Sequence, residues 1–200
     1  LGSPVQAHSD WDFEVIPLAA NPPSGIYVLR RNGMACRIPQ HRLPFLISSA
    51  DPRYSAYVRE AVAVWTRGSL NLGLGYLLQA SDDPSSADVV IRWSDPRLPR
   101  DKAGATWWMP GLNQGFQRVL GISMDGAFQI PDGNRVQILS HELGHVLGLD
   151  ESPHNGDLMY YLMDRRRLAP GQVALSQRDL QGLHWLYQQQ RYTAIRGRRD

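Results

Sequence analysis

His141 and His145 stand four residues apart, with Glu142 directly after the first, in the segment His141-Glu142-Leu143-Gly144-His145. Four residues are about one helical turn, so on a helix both imidazoles leave the same face and can offer two neutral nitrogens to one zinc ion. Glu142 falls on an adjoining part of that surface, within reach of a water molecule activated at the metal, without itself being a ligand. Zinc lowers the pKa of water toward ~7, and a glutamate so placed can accept the proton as the oxygen attacks a scissile carbonyl. The plain alternative is two histidines and a glutamate on an ordinary helix surface.

Gly148 bears on that choice. A glycine three residues after His145 can adopt φ > 0, end the helix abruptly and turn the chain back beneath the metal. Such a turn delivers a third ligand a few residues later, and Glu151 is the favoured candidate. A carboxylate is a sound zinc ligand in a His₂Glu set, and it lowers the charge of the site by one relative to three histidines. His154 is the rival third ligand, and Asp150 a weaker one.

The run from His141 to Glu151 resembles the metzincin signature H-E-x-x-H-x-x-G-x-x-H/D, with glutamate in the last position where matrixins have histidine. Within that clan it is most similar to matrixins and their bacterial relatives. Asp157-Leu158-Met159-Tyr160 resembles the Met-turn at its matrixin spacing, which favours Glu151 over His154. The likeness extends with less specificity over residues 42–188. It implies a zinc-dependent metalloendopeptidase that hydrolyses internal peptide bonds, with His141, His145 and Glu151 on zinc and Glu142 as general base. It also implies a hydrophobic floor from Met159, although any buried methionine would pack in much the same way. Tyr161 follows two residues later, where astacin-like and serralysin-like metzincins place a tyrosine that ligates zinc or stabilises the oxyanion and matrixins have proline. A catalytic role for Tyr161 and a place lining the pocket beyond the scissile bond both stay open. Matrixins often hold a second zinc through histidines in the long loop after the third strand; that loop has none here, so one zinc is expected.

Positioning these groups requires a framework. Residues 43–48, 74–78, 87–93 and 119–124 read as strands, and the Pro- and Gly-rich stretch 95–115 as a long loop containing an edge strand near 104–110. Asp51-Pro52 can start a helix over 52–67, with Val58, Ala61, Val62 and Trp65 on one face. Asn134 with Gln137 suggests a capping box for the motif helix, and Ser176 with Asp179 another for a final helix over 176–189. Strand, helix, strand at these lengths predicts a βαβ unit and a partly parallel sheet. The expected fold is α/β (α+β, zincin-like). A twisted mixed sheet with two main helices would form an upper lobe, and a small helical lower lobe would begin after Gly148. The cleft between them would take an extended protein or peptide substrate paired with the 104–110 edge. Residues 1–40 read as an extended arm or pro-segment remnant, 41–190 as the catalytic domain and 191–200 as a basic tail.

Composition narrows the classes. With 42% hydrophobic and 20% charged residues the chain is that of an ordinary globule, and a formal charge of +2 gives no argument for nucleic acid. No apolar run approaches the ~18 residues of a membrane span. Cys36 is the single cysteine, which excludes an intramolecular disulfide. Its segment resembles only loosely the matrixin pro-segment cysteine that silences the metal, and a small buried thiol is the simpler role. Arg165-Arg166-Arg167 and Arg191, Arg196, Arg198 and Arg199 read as solvated charge. Calcium is possible at Asp95, Asp101 and Asp125, but without calcium-loop spacing. The chain is expected to be a monomer and, by its resemblance, secreted or extracytoplasmic, with a signal segment outside this sequence. The competing function is a zinc-binding but catalytically inactive interaction domain.

Overall fold

A computed structural model describes residues 14–16, 22–31, 34–110, 116–126, 130–161, 168–169 and 171–196. The arginines at 165–167, 198 and 199 and parts of the N-terminal forty residues lie outside them. Within the N-terminal forty residues, three short described strands form a small antiparallel sheet. Strands β1 (Glu14–Ile16), β2 (Arg30–Arg31) and β3 (Met34–Arg37) pair in the order β1-β3-β2. Ala35, Cys36, Arg37 and Ile38 are buried in or beside it, which little periodicity in the sequence betrays.

The main sheet follows the predicted plan. It consists of β4 (Phe45–Ser49), β5 (Leu78–Ala80), β6 (Val89–Trp93), β7 (Gly104–Pro110) and β8 (Phe116–Met124) in the order β5-β4-β6-β8-β7. β5, β4, β6 and β8 run parallel, and β7 closes the edge antiparallel to β8. Phe45, Ile47, Val89, Ile91, Ile122 and Met124 are buried at alternate positions of their strands, the period of side chains that share one face of a sheet. Residues 74–77 are not strand. Leu74 N–H bonds Ser69 O, Ser69 Oγ donates to Gly75 O, and Gly73 and Gly75 both have positive φ. The apolar run there buries Leu77 from a turn, and pairing begins only at Leu78.

Helix α1 (Ser55–Asn71) follows a 3₁₀ turn opened by Asp51, whose carboxylate accepts from Arg53 N–H. It runs four residues past its expected end at 67 and buries Val58, Ala61, Val62 and Trp65 as predicted. Trp65 Nε1 donates to Ser140 O at 2.7 Å, tying α1 to helix α2 (Asp132–Val146). Asn134 does not cap α2. The cap is Pro131, and the helix is under way by Asp132, whose carboxylate suits the positive end of the helix dipole. Asn134 lies inside the first turn, where its Oδ1 accepts from Leu168 N–H. The second capping box forms as predicted: Asp179 N–H bonds Ser176 Oγ at 3.1 Å and Ser176 N–H bonds Asp179 Oδ2 at 2.8 Å. Helix α3 (Gln177–Arg196) then continues beyond the expected stop at 189. Among the described residues, no helix is long and apolar enough to cross a membrane.

Candidate metal centre

His141 and His145 sit in the last two turns of α2, and the exit of that helix is built to leave abruptly. Gly148 has φ 99°, and Leu149 N–H returns to Gly144 O at 2.9 Å. The N-terminal segment braces the turn from outside: Leu29 N–H bonds Gly148 O at 2.8 Å and Asp150 N–H bonds Tyr27 O at 3.2 Å. A Cβ on Gly148 would collide with Cys36 O, so neither the φ nor the space admits a side chain. Cys36 itself is buried in the core behind this turn. Gly148→Ala is expected to lose about 3 kcal/mol or more of stability, read as a lowered denaturation midpoint at unchanged slope.

The turn carries Glu151 back to the histidines. Its Oε2 lies 3.5 Å from His141 Nε2 and its Oε1 3.6 Å from His145 Nε2. The other imidazole nitrogens are committed: Nδ1 of His141 is 2.9 Å from Leu158 O, and Nδ1 of His145 is 2.9 Å from Leu149 O. A carbonyl oxygen only accepts, so each Nδ1 carries a proton and each Nε2 is left to serve as a ligand atom. The imidazoles are edge to face at 4.8 Å between centroids. One ligand atom from each of the three residues lies within 4.8 Å of the others. Atoms at 2.0–2.1 Å from a tetrahedral zinc stand about 3.3 Å apart, so the two histidine–glutamate separations suit that ion. The donor set of two neutral imidazoles and one carboxylate suits it too.

The charges agree with this geometry. Burial, the largest single influence on Glu151, favours its neutral form, yet hydrogen bonds and attraction from His141 and His145 outweigh it and hold the carboxyl well below its usual range. Burial likewise works against the charged form of His145. The Glu151 contact, the Glu142 charge and the Leu149 carbonyl overcome it and raise its pKa.

His154 is turned elsewhere, with Nε2 3.3 Å from Tyr27 Oη, and it is exposed. Asp150 uses Oδ1 to accept Glu151 N–H at 2.8 Å. Met159 is buried under α2, where a Cβ at Gly144, between the two histidines, would strike its Sδ and the Trp65 ring. Tyr161 is 56% exposed, packs edge-on against Tyr160 and pairs its N–H with Ser152 O. Asp95, one of the aspartates considered for calcium, is buried and engaged by Arg97 and Ser123, whose hydrogen bonds hold its pKa far down.

No spacing pattern in the sequence marks two further sets of residues beside the centre. Thr106 on β7 places Oγ1 2.6 Å from Glu142 Oε2 and 3.1 Å from Glu142 O; a threonine in a strand is too common to draw notice. The second set braces the turn. Asp157 Oδ2 accepts from Ser152 Oγ at 2.6 Å and from Arg178 Nε at 2.8 Å, and Asp179 accepts from Leu158 N–H and Met159 N–H. The start of α3 thereby fastens the loop carrying Glu151 and Met159, a role of which only the Ser176–Asp179 box gave a sign.

Residues 107–188 match the family model of the matrixins. No curated protein gives a significant match to the chain.

Proposed function

Because the matched segment marks this chain as a matrixin-like metzincin, we propose that it is a zinc-dependent endopeptidase whose zinc is held by His141, His145 and Glu151. The observation that carries this reading is the convergence of those three side chains at the exit of α2, with both Nδ1 atoms tied to backbone carbonyls. A zinc ion bound there would act as a Lewis acid and bring water toward a pKa of ~7. Glu142, 6% exposed, takes the proton from the attacking water and later returns it to the leaving amine. Gly104 makes room for it: a Cβ there would approach Glu142 Cγ and Oε1 at 3.1 and 3.2 Å.

Among the described residues β7 pairs on one side only, with β8, so its other edge can accept an extended peptide as an added strand. Because β7 touches Glu142 through Thr106, a peptide laid along it passes the metal centre. Tyr161, exposed beside the Glu151 turn, is available to donate its phenol to the oxyanion or to line the cleft next to the scissile bond. An extracytoplasmic place of action follows from the family likeness and forms part of the same proposal. The test is digestion of an unstructured protein by the zinc-loaded chain. Internal cuts that stop with a chelator and return with added zinc are expected. Chelator-insensitive cutting, or chelatable zinc without any cutting, would overturn the reading, and the latter would point to an inactive binding domain.

A further inference from the structure

We propose that Thr106 is a positioning residue for Glu142, its hydroxyl holding the carboxyl group in place against β7. This rests on the peptidase reading and deepens it. Thr106 Oγ1 has a single proton, yet it lies within hydrogen-bond distance of two acceptors on one residue, Glu142 Oε2 at 2.6 Å and Glu142 O at 3.1 Å. One proton cannot serve both at once. The 2.6 Å contact to Oε2 is the shorter and takes the proton, and the carbonyl of the same residue keeps the hydroxyl on the helix turn that carries Glu142.

That bond matters because Glu142 is buried, and a buried carboxyl group is costly to leave without a hydrogen-bond partner. The placement is fixed by the fold. Gly104 and Thr106 share one face of β7, and the absent Cβ of Gly104 lets the Glu142 side chain lie against the strand. Ile138 packs beside Gly104 on the same helix as Glu142.

The experiment compares Thr106→Val, which keeps shape and removes the hydroxyl, with Thr106→Ser, which keeps the hydroxyl. For the zinc-loaded protein, Thr106→Val is expected to lower kcat about tenfold or more with KM little changed, the size of a lost hydrogen bond to a charged group. Thr106→Ser is expected to recover most of that loss. Equal loss in both variants, or none in Thr106→Val, would overturn the proposal. The second readout is independent of cleavage. In a crystal structure of zinc-loaded Thr106→Val the Glu142 carboxyl is expected to leave its wild-type position against β7, and in Thr106→Ser to keep it. A carboxyl unmoved in Thr106→Val overturns the positioning role whatever the activities are. Absence of cleavage by the zinc-loaded wild type would instead refute the peptidase reading alone.

Discussion

Glu142→Gln is expected to reduce kcat/KM for protein cleavage by about 10³-fold while the chain still binds one zinc ion. General acid–base catalysis by a positioned side chain contributes 10²–10⁴-fold, and a loss in the middle of that range corresponds to roughly 4 kcal/mol of transition-state stabilisation. Glutamine makes this a clean experiment. It has nearly the volume of glutamate, and its amide oxygen can still accept from Thr106 Oγ1, which lies 2.6 Å from Oε2 in the native chain. It also offers no basic oxygen to the attacking water. Stability should therefore change little, and metal content should not change, because the ligand atoms belong to His141, His145 and Glu151. Turnover within about tenfold of wild type, with zinc retained, would remove Glu142 from the chemistry. Loss of zinc together with activity would show that it holds the metal.

The parts of this design that could be read from the sequence are those in which a local rule and the global fold agree. His141 and His145 share a helix face because of the helical period alone, and Gly148 reveals the helix exit because few other residues tolerate its φ of 99°. The Ser176–Asp179 box and the parallel β4–β6 crossover around α1 are likewise local patterns that the fold kept. The failures came where tertiary contact decides. Asn134 had the chemistry of a cap, but Pro131 and Asp132 had already begun α2, and its amide was needed by the Leu168 backbone. Leu74 to Leu78 had the apolarity of a strand, yet two positive-φ glycines made most of it a turn. Thr106 and Glu142 are 36 residues apart in the chain, and no spacing rule joins a strand hydroxyl to a helix carboxylate. The support of the Glu151 turn by Tyr27, Leu29, Arg178 and Asp179 is of the same kind, since each contact joins segments that no local pattern links.

Glu151→Ala is expected to strip the zinc, weakening its binding by more than about 100-fold, while His154→Ala leaves one ion per chain. The reference is the 10–100-fold cost of disturbing a partner that merely orients a ligand; deleting a ligand should exceed it. The geometry separates the two candidates. Glu151 reaches both Nε2 atoms at 3.5 and 3.6 Å, whereas His154 is turned to Tyr27. The pH dependence gives a second check. In the metal-free chain Glu151 raises the pKa of His145, and zinc must displace the proton there. Affinity should accordingly fall by about tenfold per pH unit for each proton displaced as the pH drops through that raised value. The depressed pKa of Glu151 keeps it ionised over the same interval, so its own titration adds nothing to the slope. In Glu151→Ala the contact that raises His145 is gone, and the residual weak binding should begin to fall only at lower pH. Competition with a zinc-sensitive dye from pH 5 to 8 measures both effects. Zinc loss in His154→Ala with full retention in Glu151→Ala would reassign the third ligand, and a pH midpoint shared by wild type and Glu151→Ala would show that the carboxylate does not face the histidines.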